Sequence, residues 1–252
     1  MKSPIPRPRY RLLVLAAALA FVSPGAGAAA AAQTGLDLTK LGRPADEVAR
    51  DATSRPLELY RFFGIGSGAV VADLFAGGGY NTAILTHLVG DGGVVFSQDG
   101  RKGTVSQRVK GGDLKGRSNI VIFGKIEELP ADSLDVVLTV RNYHDVPEGD
   151  VAAWLQIISR ALKPGGVFAV VDVRTKPGFE GRGGDLHRIA EDLVVKEVTA
   201  AGFTLDGRSD MLGNPKDTYE SAEFENREGT DRMVLKFRKP AATASQASGA
   251  AS

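Results

Sequence analysis

Hydrophobic positions along the middle of the chain follow two alternating periods. Short apolar runs, typical of buried strands, are separated by stretches in which apolar residues recur every three or four positions, typical of amphipathic helices. The predicted strands are 69–73, 94–97, 120–123, 134–140, 167–173, 203–207 and 232–237. The predicted helices are 43–49, 54–63, 80–88, 148–162 and 186–201, with a weaker helical pattern up to about residue 109. Strands that alternate with helices predict an α/β fold, with a mostly parallel sheet covered by helices on both faces.

The last two predicted strands differ from the others. No helical pattern separates 203–207 from 232–237. Because parallel neighbours need a crossover connection, usually a helix, this pair predicts an antiparallel edge at the C-terminal side of the sheet.

The two ends of the chain have compositions of their own. A basic segment is followed by an apolar run at 12–22 and by a tract of small residues at 26–32, which is the layout of a secretory signal peptide. The apolar run is shorter than the roughly 20 residues that a spanning helix needs. We therefore expect residues 1–32 to be cleaved, after Ala28 or Ala32, which leaves a periplasmic or secreted protein without a stable membrane anchor. Residues 240–252 are rich in alanine and serine, so we expect a disordered tail after a folded domain at 36–239.

Composition and charge narrow the possible functions. The chain has 252 residues, of which 43% are hydrophobic and 24% charged, values that suit one globular domain. Beyond the leader, the chain carries 27 basic and 30 acidic residues, a balance that does not favour nucleic-acid binding. Since the chain has no cysteine, disulfides and thiolate metal sites are excluded.

A glycine-rich turn follows the first predicted strand. Asp73 ends this strand, Gly77, Gly78 and Gly79 form the turn, and a helix begins at Tyr80. Glycine allows the backbone to approach a ligand closely, and a helix N-terminus attracts anions. The turn therefore predicts a nucleotide-type site. A dinucleotide fingerprint would need a glycine where Thr82 stands, which argues against a nicotinamide-dependent oxidoreductase.

Several motifs together resemble one family. They are Asp73-Leu74-Phe75-Ala76-Gly77-Gly78-Gly79, the turn Leu162-Lys163-Pro164-Gly165-Gly166, the closing pair of strands, Asn142-Tyr143-His144-Asp145, Leu186-His187-Arg188-Ile189 and the segment 230–239. Across 41–240 the chain is similar to class I S-adenosylmethionine-dependent methyltransferases, and in detail to an exported bacterial group of them. The resemblance implies a Rossmann-like sheet of seven strands and S-adenosyl-L-methionine as the cofactor. Phe75 departs from the family pattern, because the first glycine of the motif usually stands there.

The resemblance also implies a set of cofactor-binding residues. The turn would bind the carboxylate of the cofactor, an acidic side chain its ammonium group, and residues further along the chain its ribose and adenine. For the ribose, Gln98 and Asp99 are alternatives, because the family places an acid at the end of its second strand. The full set is Asp73, Ala76, Gly77, Gly78, Gly79, Gln98, Asp99, Glu127 on the adenine side, and Asn142.

The loop after the fourth strand holds the candidate catalytic residues. His144 could act as a general base oriented by Asp145, with Tyr143 or Asn142 positioning the substrate. The alternative is that His144 and Asp145 cap the next helix and brace the loop. The two loop histidines, His144 and His187, could also form a metal site with Asp145 and Asp172. Their spacing does not require one, and we expect no metal.

Two functions remain compatible with these residues. The first is methyl transfer from S-adenosylmethionine to a small molecule or to an exported partner. The second is a non-catalytic, ligand-binding descendant of the fold in the periplasm. The second has a physical motive, because the cofactor is charged and is made in the cytoplasm, whereas the leader predicts export.

Overall fold

The computed structural model describes residues 35–100 and 103–241. The predicted signal peptide at 1–32 and all but the first two residues of the predicted tail at 240–252 lie outside the described residues. None of the helices in the described part of the chain is long and apolar enough to cross a membrane.

Seven strands form one sheet, as predicted. Their order across the sheet is β3-β2-β1-β4-β5-β7-β6, and β7 runs antiparallel to both of its neighbours, while the other adjacent pairs are parallel. The antiparallel C-terminal edge predicted from the missing helical pattern is thus confirmed. The strands are β1 (Val70–Leu74), β2 (Val94–Gln98), β3 (Ile120–Phe123), β4 (Leu134–Val140), β5 (Leu162–Val173), β6 (Thr204–Ser209) and β7 (Arg232–Arg238).

Helices cover the sheet on both faces. They are α1 (Ala45–Ser54), α2 (Pro56–Phe63), α3 (Tyr80–Val89), α4 (Thr104–Gly111), α5 (Val151–Ala161) and α6 (Glu191–Ala200). Buried side chains of α2 and α3 pack on one face of the sheet, and those of α5 and α6 pack on the other. Neighbouring strand residues alternate between these two cores: Val71 belongs to the first and Ala72 to the second, as the period of a strand requires.

The helix predicted at 186–201 begins later than expected. Its first residue is Glu191, because the preceding segment runs beside the end of β5 instead of coiling. The backbone N–H of Ile189 donates to the carbonyl of Val173 at 2.9 Å, and His187 has a left-handed φ of 51°. A long-range backbone pairing has therefore replaced the helix that the local pattern favours, and it holds His187 near the sheet.

The predicted turn Lys163-Pro164-Gly165-Gly166 lies inside an irregular start of β5. The pairing of β4 with β5 shifts there, from Leu134 opposite Leu162 to Val136 opposite Val167. A Cβ atom on Gly166 would come within 2.9 Å of the Lys163 carbonyl oxygen, so this close approach requires glycine.

The strand order creates a switch point beside β1. The chain proceeds outward from β1 to β2 and β3 and then returns to β4 on the other side of β1. In open α/β sheets, ligands bind in the crevice at the carboxyl ends of the strands at such a point. The glycine turn follows β1, and Arg141 and Asn142 follow β4, so both segments lie at this crevice.

Candidate functional site

A cavity of about 650 Å³ lies at the switch point. Its walls come from the glycine turn, the end of β4, helix α1 and the loop before β7. A second cavity, of about 730 Å³, lies under the segment that follows β5 and does not include the glycine turn. We take the first as the candidate ligand site because the crevice of the fold and the predicted motif coincide there. Its lining residues include Arg50, Phe75, Ala76, Gly77, Gly78, Asn81, Arg141, Asn142 and Arg227.

The backbone of the glycine turn is left-handed at two positions. Gly77 has a φ of 57° and Gly79 a φ of 84°, a region that glycine enters without steric cost. A Cβ atom on Gly79 would lie 3.2 Å from the Val105 side chain and 3.3 Å from the Arg108 guanidinium. The turn thus depends on glycine for both its conformation and its packing against α4.

The backbone conformation at Phe75 shows why a glycine is usual at this place of the motif. Its backbone is also left-handed, with a φ of 50°, and a residue with a side chain pays roughly 1 kcal/mol for that conformation. The ring stacks on Trp154 at a centroid distance of 6.2 Å and remains 40% exposed beside the cavity. Phe75 therefore forms an aromatic wall of the site where the family pattern would leave space.

Asp73 lies behind the cavity wall. Its carboxylate is fully buried and accepts a hydrogen bond of 2.7 Å from the Thr82 hydroxyl. The amide of Asn81, which lines the cavity, lies 3.5 Å from its other oxygen. Burial raises the pKa of Asp73 to about 6, against the opposing effect of the hydrogen bonds from Thr82 and Asn81. Asp73 can act on a ligand through Asn81 and can hold a proton in mildly acidic solution.

The two alternatives for the ribose site have different partners. The side-chain oxygen of Gln98 accepts from the backbone N–H of Phe75 at 3.1 Å, and its NH₂ group donates to the Gly124 carbonyl at 3.1 Å. Asp99 instead accepts the backbone N–H groups of Ser106, at 2.9 Å, and Val105, at 3.3 Å, at the first turn of α4. Asp99 thus caps α4, and Gln98 joins the glycine turn to the residue after β3, so both alternatives already have protein partners.

The remaining predicted residues lie in different surroundings. Glu127 is exposed, in a 3-10 turn at Ile126–Glu128. Asn142 lines the cavity, and its side-chain NH₂ donates to the Val140 carbonyl at 2.6 Å. Tyr143 is fully buried, and its hydroxyl donates to Glu197 at 2.9 Å. Asn142 therefore lies at the cavity, whereas Tyr143 belongs to the core.

Arg141 is a site residue that sequence reasoning missed. Its backbone is left-handed at the end of β4, with a φ of 62°, and the residue borders the cavity although only 7% of it is exposed. It forms an ion pair with Glu223 through the guanidinium nitrogen Nη2, while the other two nitrogens, Nε and Nη1, have no hydrogen bond to the described residues. Burial lowers the pKa of Arg141 to about 10 despite the charge of Glu223. A buried guanidinium with unused donors beside a cavity suits an anionic group of a ligand. The sequence signal was its position, directly after a strand that ends at the ligand edge.

His144 is oriented by Asp172, and this corrects the expectation that Asp145 orients it. The His144 ring nitrogen Nδ1 donates to one oxygen of the buried Asp172 carboxylate at 2.7 Å, and the His144 backbone N–H donates to the other at 2.9 Å. Burial opposes protonation of the ring, but the hydrogen bond and charge of Asp172, with the charges of Asp145 and Glu223, outweigh it and raise the pKa of His144.

Asp145 and His187 meet at the other side of the His144 ring. The His187 Nδ1 atom lies 2.9 Å from an Asp145 oxygen and 3.3 Å from the His144 Nε2 atom. Within the described residues, the side chains of His144 and Asp145 bond to Asp172 and His187 and not to the backbone of α5, so neither caps the helix that follows. The structure thus brings together four residues from three segments of the sequence: the turn after β4, the end of β5 and the segment before α6.

Comparison with known proteins identifies the fold. No family model and no curated protein matches the chain. A solved S-adenosylmethionine-dependent methyltransferase from Aquifex aeolicus is similar in structure, with a TM-score of 0.58, 19% sequence identity, and coverage of 79% of this chain and 95% of that chain. The protein has the class I methyltransferase fold.

Two other solved structures with this methyltransferase fold have different functions in their names. The 1,6-didemethyltoxoflavin-N1-methyltransferase of Burkholderia thailandensis, solved with bound S-adenosylhomocysteine, has a TM-score of 0.54 and 18% identity, and covers 78% of this chain and 86% of its own. The cyclase SpnF has a TM-score of 0.60 and 14% identity, and the match covers 76% of this chain and 82% of that chain. At these identities the similarity establishes the fold, and the residues of the site must carry any statement about the reaction.

The site fits one half of the cofactor that this methyltransferase fold implies better than the other half. At the methionine end, the left-handed Gly77 and Gly79, the cavity and the unused donors of Arg141 suit a carboxylate and its neighbouring groups. At the adenosine end, Gln98 replaces an acid, and both ends of its amide are already hydrogen-bonded.

Proposed function

We propose that the protein is an S-adenosylmethionine-dependent methyltransferase that acts on a small molecule or on an exported partner. The observation that carries this proposal is the cavity at the switch point, where the glycine turn after β1 meets Arg141 and Asn142 after β4. Three features that ligand binding would explain coincide there: left-handed glycines, a buried guanidinium with two nitrogens that lack a partner, and the crevice of the fold.

Each end of the cofactor would have its own residues. The backbone N–H groups near Gly77 and Gly79 and the guanidinium of Arg141 would bind its carboxylate, and Asp73 would act on its ammonium through Asn81. Gln98 would bind a ribose hydroxyl after giving up one of its present hydrogen bonds, to Phe75 or to Gly124. When bound, S-adenosylmethionine supplies an electrophilic methyl group on a sulfonium. The protein's own part is to hold the acceptor in line with that group.

His144 is the proposed general base: it would remove a proton from the group that receives the methyl. Because its Nδ1–H group donates to Asp172, the lone pair of the neutral ring is on Nε2. This atom faces Asp145 and His187, whose side chains are about half and two-fifths exposed, so the cluster is reached from solvent on that side. Asn142, two residues earlier, lines the cavity and would position the substrate.

One observation favours the alternative, a non-catalytic protein that binds a ligand in the methyltransferase fold. Gln98 holds Phe75 and Gly124 together across the place where the family's acid accepts the ribose hydroxyls. A descendant of the fold that no longer binds the cofactor would not need that acid. Binding therefore has to be tested before turnover.

We also propose that the protein is exported after cleavage of residues 1–32 and that its ligand is not a nucleic acid. The basic segment, apolar run and small-residue tract of the leader support export. The near balance of charge in the rest of the chain supports the second statement. N-terminal sequencing of the protein from culture medium and periplasm would give the cleavage site, expected after Ala28 or Ala32, and an intact leader on soluble cytoplasmic protein would contradict export.

Titration calorimetry of the folded protein with S-adenosylhomocysteine tests the function. A methyltransferase should bind it with a micromolar dissociation constant, because this product of methyl transfer retains the carboxylate, ammonium, ribose and adenine and differs only by a neutral thioether in place of the methylated sulfonium. Circular dichroism of the same sample confirms that it is folded. No heat of binding at millimolar ligand would refute the enzyme and leave the non-catalytic alternative.

A further inference from the structure

We propose that His144, Asp145 and His187 form a binding site for a divalent transition metal of the zinc type. His144 and Asp145 lie in the 3-10 turn after β4, and His187 lies in the segment that runs beside the end of β5. The site replaces our expectation of no metal, which rested on spacing in the sequence alone. It does not depend on methyl transfer, and its test is independent of the cofactor.

The distances between the three potential ligand atoms match those around a metal ion. The His144 Nε2 atom lies 3.3 Å from the His187 Nδ1 atom and 3.4 Å from an Asp145 oxygen, and that oxygen lies 2.9 Å from the His187 Nδ1 atom. Ligands at about 2.0–2.1 Å from one metal ion are about 3.3 Å apart in a tetrahedron and about 2.9 Å apart in an octahedron. One ion can therefore reach all three atoms without a large movement.

Asp172 gives the His144 ring the orientation and tautomer that a metal ligand needs. It accepts the Nδ1–H group at 2.7 Å and is itself fully buried, so the lone pair of Nε2 points away from it toward Asp145 and His187. A carboxylate that holds the remote ring N–H of a histidine is the usual outer partner in zinc sites. A histidine that only packed in the core would not need this partner together with two further ligand atoms in reach.

The charge of the cluster also favours a cation. Across residues 35–100 and 103–241, the ion pairs of Asp145 and Asp172 are made with histidines, and neither carboxylate is paired with a lysine or an arginine. Two carboxylates and two imidazoles without a permanent positive partner suit a dication. Imidazole nitrogens with one carboxylate select first-row transition metals over magnesium or calcium.

The site is open on one side. The side chains of Asp145 and His187 are 53% and 39% exposed, and Phe224, itself 59% exposed, packs edge-on against the His187 ring. Three protein ligands with free positions toward solvent are typical of catalytic rather than structural metal sites. A bound metal would occupy the Nε2 lone pair assigned above to proton acceptance. It would then take over that task by lowering the pKa of an oxygen bound to it, either water or an acceptor hydroxyl.

Metal binding by the untagged full-length chain tests this proposal. The chain is treated with a chelator, loaded with Zn²⁺, desalted and analysed for metal by mass spectrometry, and its affinity is measured by competition with a zinc-binding dye. We expect one zinc per chain. Loading with Co²⁺ should give the visible absorption of a low-symmetry complex, and a tenfold excess of Mg²⁺ should displace neither metal.

Variants locate the metal. His144→Ala and His187→Gly should each reduce zinc affinity by at least 100-fold, and Asp172→Asn by about 10–100-fold. The chain has three histidines, and the third, His87, lies in α3 beside Arg117, so His87→Ala is the matched control and should retain full affinity. Glycine suits the left-handed backbone of His187, which keeps this variant folded even if His144→Ala unfolds.

Two results would overturn the proposal. One is a zinc content below a tenth of an equivalent in the folded wild-type chain. The other is zinc binding that survives in His187→Gly or is lost equally in His87→Ala. Titration of the same metal-free samples with S-adenosylhomocysteine separates this result from the proposed function, because the cofactor site and the three ligands can fail independently.

Discussion

Asp172 holds His144 by two hydrogen bonds, one to the Nδ1–H group of the ring at 2.7 Å and one to the backbone N–H at 2.9 Å. The carboxylate is on β5 and the histidine follows β4, so the contact joins the ends of two neighbouring strands. It fixes the tautomer of His144 and also secures the loop that carries Arg141 and Asn142. Both the proton-acceptor role and the proposed metal site depend on it.

Asp172→Asn should lower the free energy of unfolding by about 1–3 kcal/mol, because the amide has one acceptor oxygen for the ring N–H and the backbone N–H of His144, and its NH₂ group must face the other donor. Asp145→Asn is the control, since its exposed side chain should cost less than about 0.5 kcal/mol. Urea unfolding monitored by circular dichroism measures both. Equal losses in the two variants would show that Asp172 has no special part in holding the loop.

The stability that Asp73 contributes should fall as the pH rises from about 4 to about 6. Burial raises the pKa of Asp73 from 3.8 in the unfolded chain to about 6 in the folded one. Between these values the folded state binds more protons, so the contribution is present below pH 4 and is lost through pH 6. It amounts to about 3 kcal/mol at roughly 1.4 kcal/mol for each pKa unit. Comparing wild type with Asp73→Asn by urea unfolding at pH 4.5, 5.5 and 7 isolates it, and a difference that stays constant with pH would contradict the raised pKa.

Asp99→Ala should lower stability and leave ligand affinity unchanged, whereas Gln98→Ala should lower ligand affinity. Asp99→Ala removes the cap of α4 and should cost about 1 kcal/mol of stability while S-adenosylhomocysteine affinity stays within twofold. Gln98→Ala should lower that affinity by about tenfold, the worth of about one hydrogen bond. Calorimetric titration and urea unfolding of both variants give the two quantities. The reverse pattern would assign the ribose to Asp99.

Gly78→Leu should abolish S-adenosylhomocysteine binding without unfolding the protein. Gly78 lines the cavity, its φ is not left-handed, and a Cβ atom there would meet no other atom within 4 Å. The added side chain therefore fills space that the ligand needs. Gly149→Leu is the matched control, since Gly149 has the same free space in a 3-10 turn that does not line the cavity. We expect at least a 100-fold loss of affinity in the first variant and none in the second, with similar melting temperatures, and full binding by Gly78→Leu would place the ligand elsewhere.

A pair of variants separates the binding role of Arg141 from its structural role. Arg141→Met leaves the buried Glu223 with only the exposed Arg227, at 3.7 Å, as its cationic partner and should cost up to about 3–5 kcal/mol of stability. The double variant Arg141→Met/Glu223→Gln should recover most of that stability. If Arg141 binds the ligand carboxylate, the double variant should still bind S-adenosylhomocysteine about 10–100-fold more weakly than wild type, because a charge-assisted hydrogen bond is lost. Recovery of affinity together with stability would restrict Arg141 to its ion pair.

The order of strands and helices was predictable because each depends on a local hydrophobic period. The strands and the antiparallel edge follow from runs and gaps that one stretch of sequence contains. The largest error in an element, the helix expected from 186, arose where the Ile189 backbone pairs with Val173, a contact between segments that the local pattern cannot reveal. Likewise, the Leu162–Gly166 turn was recognised, but its inclusion in β5 depends on pairing with β4.

The sequence by itself determined the fold class and the glycine turn, because glycines, apolar periods and strand-ending acids act within a few residues of their own position. Only the tertiary structure decided which side chains meet. It assigned the orientation of His144 to Asp172, used Asp99 to cap α4, placed Tyr143 in the core and brought His187 to Asp145. These contacts join residues up to 54 positions apart, and their partners are chosen by the packing of separate strands and loops at one edge of the sheet, which no local period encodes.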